Sequence, residues 1–148
     1  RPEGRHGKSL LLFQQYARDF ARFGQLLLNN GQWDGQQLIS PAYLAEATSP
    51  DTRLVYKDLG KPNHCYGFQY WILDYKGMKI PYMRGILGQY VFTLPEKNAV
   101  IVRLGHKRSD TYTADQHYPD DIKYMVGRSD GLTSIRIYLS NDLKIKRT

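Results

Sequence analysis

A chain of 148 residues is long enough for one domain with its own core and too short for two ordinary ones. With 41% apolar, 13% aromatic and 24% charged residues and no low-complexity tract, its composition excludes an intrinsically disordered chain. No apolar run approaches the roughly 20 residues that span a bilayer. The net charge of +7 comes from basic residues scattered along the chain, without a recognisable nucleic-acid motif.

Residues 1–8 are charged and glycine-bearing and read as a flexible entry. The apolar run at residues 10–13 is far shorter than a signal-peptide core of about 7–15 residues. From residue 17 to 28, Ala17, Phe20, Ala21, Leu27 and Leu28, with Gly24 on the same stripe, follow the helical period. Arg18, Asp19, Arg22 and Gln25 take the other face, and Asn29-Asn30-Gly31 tolerates the left-handed conformation that ends a helix. Residues 32–35 form a turn by their Asp-Gly pair. Ser40 then caps a short helix that opens on Pro41 and runs to about Ala47. Residues 48–62, with Pro50, Gly60 and Pro62, read as a loop, either an active-site rim or a mobile connection.

The period then changes. Residues 66–73 are aromatic and β-branched and predict a strand, broken at 74–77, with a return over 78–83. Residues 90–94 and 99–104 flank the polar turn 95–98 and predict a hairpin. Residues 99–102 are apolar without alternation, so both their faces should be covered. Residues 119–126 predict a short helix presenting Ile122, Met125 and Val126, with Asp120 and Asp121 favouring its positive end. Helices packed on the face of an antiparallel sheet make an α+β fold in a single domain.

Three stretches carry a resemblance. Residues 17–41 join a helix to Gly31-Gln32-Trp33-Asp34-Gly35 and then to Ser40-Pro41. Tyr66-Gly67-Phe68-Gln69-Tyr70-Trp71 is an aromatic strand. Gly85-Ile86-Leu87-Gly88-Gln89 is followed by Pro95-Glu96 and the apolar run 99–102. On these, residues 16–125 resemble the C-terminal half of the bacterial serine hydrolases of the class C β-lactamase and penicillin-binding-protein-like family. Residues 17–41 are similar to its helix, Gly-x-Trp-x-Gly turn and Pro-led helix. The aromatic strand is similar to the one beside its active-site strand, and the third stretch to its Gly-x-x-Gly-Gln strand, Pro-Glu turn and returning strand.

The resemblance implies a partial β-lactamase/DD-peptidase-like fold and hydrolysis of an ester, amide or β-lactam through an acyl-serine. Such enzymes use a Ser-x-x-Lys serine, a Tyr-x-Asn tyrosine and a Lys- or His-x-Gly edge strand, because a serine hydroxyl needs a neighbouring base and its oxyanion needs aimed donors. No serine here has lysine three positions on, and Tyr-x-Asn is absent. The nucleophile and base are therefore expected outside this chain, which should be inactive alone.

In the third motif Ile86 and Leu87 stand where many relatives carry His or Lys, and Lys79 in Lys-Ile-Pro is a poor match to Lys-Thr-Gly. What remains is main-chain chemistry. The Ile86 amide is the candidate oxyanion donor, and Gly85, Leu87, Gly88 and Gln89 are the candidate pocket wall. The alternative is a glycine-rich strand that only lets Tyr90 or a helix pack closely.

Other features are weaker. His64, His106 and His117 lack metal-ligand spacing, so no metal or cofactor is expected. Cys65, the only cysteine, cannot form an internal disulfide, and next to His64 it reads as a buried or half-buried thiol at a strand entrance. The aromatic residues 66–75 offer a substrate wall, half of it core by alternation. Residues 1–15 and 127–148 show no resemblance and are expected to be frameshifted, truncated or disordered. Relatives are often exported to the periplasm, but these residues carry no address. A different class of reading is a non-catalytic binding module with a basic surface, although no nucleic-acid partner is expected.

Overall fold

The computed structural model describes residues 17–56, 60–113, 118–127, 130 and 137–140. Helix α1 (Ala17–Leu28) forms where the apolar period predicts it, and its buried residues Ala21, Gly24 and Leu27 lie on one stripe. Its end is a Schellman motif: the Gly31 amide donates to Leu26 O (2.8 Å) and the Asn30 amide to Leu27 O (3.0 Å), with Asn30 left-handed at φ 51°. Strands β1 (Gln32–Trp33) and β2 (Gln36–Gln37) follow as a hairpin. Asp34 (φ 51°) and Gly35 (φ 77°) supply the two positive φ angles of its tight turn. Helix α2 (Pro41–Ala47) opens on Pro41 and is capped by Ser40, whose hydroxyl accepts from the Tyr43 amide at 3.5 Å.

The stretch 48–62, expected to be a loop, carries a small hairpin, β3 (Val55–Tyr56) with β4 (Lys61–Pro62). The aromatic strand starts later than its composition predicts, as β5 (Trp71–Tyr75). The main chain before it is committed elsewhere: Phe68 N–H donates to Ala47 O (2.9 Å) and Tyr66 O accepts from the Asp51 amide (2.9 Å). Strand β6 (Met78–Arg84) returns through a two-residue turn. Strands β7 (Tyr90–Leu94) and β8 (Ala99–Arg103) form the predicted hairpin. Pairing of β6 with β7 begins only at Tyr82, beyond Pro81, which has no amide hydrogen to give.

β5, β6, β7 and β8 are antiparallel in that order. A fifth strand, β9 (Ile137–Ser140), pairs parallel to β8. That strand lies in the C-terminal stretch expected to be frameshifted or disordered, and its parallel direction departs from the all-antiparallel expectation. The rest of that stretch, apart from Gly127 and Asp130, and residues 1–15 lie outside the described residues.

Alternation sorts the sheet's two faces. Val91, Val100 and Val102 face α1 together with Ala21. Leu73, Ile80, Tyr82, Tyr90, Phe92, Leu94, Ala99 and Ile101 face Ile122, Met125 and Val126 of α3 (Asp121–Gly127). All of β7 and β8 is therefore buried, which the unbroken apolar run 99–102 predicts for β8. Helix α3 starts at Asp121 rather than residue 119, with the Ile122 amide donating to Pro119 O (3.1 Å).

Gly24 sets how closely α1 approaches the sheet. A Cβ there would stand 2.5 Å from Val100 Cγ1 and 3.3 Å from Val91 Cγ1. Alanine would gain about 1 kcal/mol of helix propensity, against overpacking worth about 1–3 kcal/mol beside a stiff β-branched side chain. Gly24→Ala is expected to lower stability by about 1 kcal/mol net in urea denaturation. Its effect should shrink in a Val100→Ala background, because the shared contact makes the two changes non-additive.

Candidate functional site at the β6–β7 turn

The last pair of β6 and β7 is Arg84 with Tyr90, leaving residues 85–89 to reverse the chain. The Gly85 amide donates to Gln89 O at 2.8 Å and closes the turn. Ile86–Gly88 between them is a single 3-10 turn. Leu87 is left-handed (φ 64°, ψ 20°), and Gly88 follows at φ 81°. Residues 85–88, expected on a strand, are thus a turn, since two consecutive positive φ angles cannot continue a ladder. The turn also joins two strands that each have a neighbour on their other side, rather than lying on an edge strand. A leucine in this conformation stores about 1–3 kcal/mol of strain, and such strain survives only where the surroundings hold it.

The predicted wall residues divide. Ile86 and Leu87 project outward, 71% and 50% exposed, while Gly88 is buried. Ile86 opens the 3-10 turn, and the first amides of such a turn have no acceptor within it. Gln89 faces the other way: its Nε2 donates to Gly105 O at 2.8 Å.

Beneath the turn lies a buried polar hub that the sequence reading did not single out. Arg103, the last residue of β8, donates through Nη1 to Gly88 O (3.0 Å) and Asp121 Oδ2 (3.2 Å) and through Nη2 to Lys107 O (2.8 Å). The Arg103 and Asp121 side chains are each 10% exposed. The Tyr90 hydroxyl donates to Asp121 Oδ1 at 3.2 Å. Burial, and then the Asp121 carboxylate, push the Tyr90 phenol well above the usual tyrosine range, so it stays a protonated donor. Asp121 does sit in the first turn of α3, as its dipole reading implies, but its principal partner is Arg103. Asp120 instead stays near the surface, accepting from Thr111 Oγ1 at 2.7 Å. The available signal was an arginine ending an otherwise apolar strand, with an aspartate at a helix start downstream.

The serines among the described residues have local structural partners. Ser40 caps α2, Ser49 donates to Ala45 O (2.7 Å), and Ser109 meets Thr111 Oγ1 (2.8 Å). Among the described residues, none of these hydroxyls is hydrogen-bonded to the side chain of a lysine, histidine or tyrosine. Ser9, Ser129, Ser134 and the Ser140 side chain lie outside the described residues. Cys65 is buried, as expected. Lys79 is bound to Asp74 (2.6 Å), its cross-strand partner, roughly 17 Å along β6 from the turn. Among the described residues no cluster of three or more His, Cys, Asp or Glu side chains is placed to hold a metal, and no helix is long and apolar enough to cross a membrane. His117 lies outside them.

Of the aromatic stretch 66–75, Ile72 and Leu73 are core, while Trp71 and Tyr75 are half-buried against it. Trp71 stands at the same end of the sheet as the turn. The guanidinium of Arg84, the residue before Gly85, lies 3.5 Å from its ring centroid. The turn, the hub and this aromatic rim thus form one end of the domain. No protein-family model and no curated protein sequence matches the chain.

Proposed function

We propose that this chain is the C-terminal part of a β-lactamase-related serine hydrolase, supplying one wall of the pocket in which an ester, amide or β-lactam is cleaved through an acyl-serine lying outside it. On this reading the α-helices and antiparallel strands are a partial β-lactamase/DD-peptidase-like fold. The observation that carries it is the 85–89 turn, which is strained, exposed at Ile86 and Leu87, and anchored from below by Arg103 and Gln89. Fixing main-chain donors before charge develops is what an oxyanion site requires, because a donor already in place costs no reorganisation during reaction. The Ile86 amide would take the developing negative oxygen, with Gly85 leaving room for a close approach. The apolar side chains of Ile86 and Leu87 would keep water from that oxygen. The attack itself needs a hydroxyl activated by a base.

The gene tests this directly. The DNA upstream, read in three frames, is expected to encode Ser-x-x-Lys and then Tyr-x-Asn. That segment joined to this chain should hydrolyse nitrocefin or a p-nitrophenyl ester, while the chain alone should not. Absence of both motifs from every frame would sink the proposal. Turnover by the isolated chain that is lost in Ser109→Ala would sink it equally.

A further inference from the structure

Two apolar side chains stand at the tip of the 85–89 turn, Ile86 and Leu87, both exposed to water and in neither core cluster. Leu87 is the costlier of the two. Its φ of 64° is followed by the positive φ of Gly88, and such positions are ordinarily filled by glycine, asparagine or aspartate. Among the described residues the other left-handed non-glycine positions are Asn30, Asp34, Gln69, Lys76 and Asn98, all of them polar. Any of those residue types would hold this turn with a side chain that water accepts. A leucine that is both strained and half in water serves something outside the chain.

The loop after β8 lies against the turn. Gln89 Nε2 donates to Gly105 O at 2.8 Å, and a Cβ on Gly88 would stand 2.7 Å from Lys107 O. His106 and Lys107 are exposed there, Arg108 is half-buried, and Asp110 is the one acid between residues 104 and 113. Tyr112, also exposed, has its ring 5.5 Å from the Arg108 guanidinium. An apolar tip backed by a tyrosine and basic residues suits an anionic lipid surface. Apolar groups enter the boundary of headgroups and acyl chains, tyrosine rings sit at headgroup level, and cations meet the phosphates. The net charge of +7 draws the whole chain toward such a surface.

We propose that the 85–89 turn is a contact for an anionic membrane surface, with Ile86 and Leu87 inserted into the lipid and Lys107 and Arg108 at the headgroups. Area decides for lipid over a protein partner. Two side chains supply only a small part of the roughly 800 Å² per partner that a stable protein interface buries, whereas lipid moulds itself to a tip of any shape. The proposal goes beyond the hydrolase reading and does not rest on it. That reading uses the main-chain amide of Ile86, and this one uses the side chains of Ile86 and Leu87.

Co-sedimentation of the chain with vesicles tests this, using mixed phosphatidylcholine and phosphatidylserine on one side and phosphatidylcholine alone on the other. Binding to the mixed vesicles is expected, weaker binding to the neutral ones, and a decline as salt is added. Leu87→Asn should lower the partition coefficient at least about tenfold, the effect of withdrawing a leucine side chain from an apolar medium. The same variant should melt at an equal or higher temperature, because asparagine suits the left-handed position. Lys107→Gln should lower the partition about fivefold, the share of one cation beside an anionic surface. Leu38→Asn, at a likewise exposed leucine outside the turn, should leave it unchanged. No binding to the mixed vesicles, an unchanged partition in Leu87→Asn, or an equal loss in Leu38→Asn would each overturn the proposal. A lower melting temperature for Leu87→Asn would overturn it too, by showing that the leucine serves the fold. A dimer on gel filtration that Leu87→Asn abolishes, without vesicle binding, would put a second copy in place of the lipid. None of these results bears on whether Ser-x-x-Lys and Tyr-x-Asn lie upstream.

Discussion

Asp121→Ala is expected to cost about 3–5 kcal/mol of folding stability, the usual consequence of removing one partner of a buried ion pair. The variant strands the Arg103 guanidinium beneath the sheet's end and takes away the acceptor of the Tyr90 hydroxyl. Two carbonyls, Gly88 O and Lys107 O, still face the guanidinium, but neither neutralises it. Urea denaturation should show the midpoint falling with the slope unchanged. An Arg103→Met/Asp121→Ala double variant should be more stable than Asp121→Ala alone, since replacing both charges removes the stranded one. A double variant no better than the single one would mean that the pair is not a coupled unit.

Gly88→Ala should be nearly as damaging, at about 2–5 kcal/mol. Two causes add. An L-residue at φ 81° costs about 1–2 kcal/mol. The new methyl would also overlap Arg103 Nη1 and stand 2.7 Å from Lys107 O, and overpacking of this kind costs about 1–3 kcal/mol. The main-chain carbonyl of Lys107 cannot rotate away as a side chain can. Thermal melts of Gly88→Ala and Gly35→Ala, compared side by side, separate the two causes. Gly35 has a similar φ of 77° with nothing within 4 Å of a Cβ, so its substitution should show the conformational cost alone.

Local rules made much of the fold legible. The period of Ala17, Phe20, Ala21 and Gly24 placed α1, Ser40-Pro41 placed the start of α2, and the polar turn 95–98 placed the β7–β8 hairpin. Each signal lies within one element or one turn. The misplacements came from longer-range choices. Tyr66 to Phe68 have strand composition, but their main chain is bonded to the end of α2 and to Asp51, so β5 begins at Trp71. Gly85-Ile86-Leu87-Gly88 has two apolar residues between glycines, which suits a strand as well as a turn. Only the pairing of Arg84 with Tyr90 decides it.

The hub was the least visible part. An arginine after Ala99-Val100-Ile101-Val102 looks like a strand running out to solvent, and Asp121 looks like a helix-start charge. That the two meet is a property of how α3 crosses the sheet, which no local pattern encodes.

Gly88 and Tyr90, Arg103, and Asp121 come from three separate stretches of the chain, the last of them a helix outside the sheet that holds the others. During synthesis the β6–β7 turn therefore emerges well before the carboxylate that fixes the guanidinium beneath it. Until α3 has left the ribosome and settled onto the sheet, Arg103 and the Tyr90 hydroxyl lack the Asp121 carboxylate that joins them beneath the turn. This end of the domain should consequently complete its native contacts only after α3 docks, and a chain halted short of α3 would carry the turn without the carboxylate beneath it.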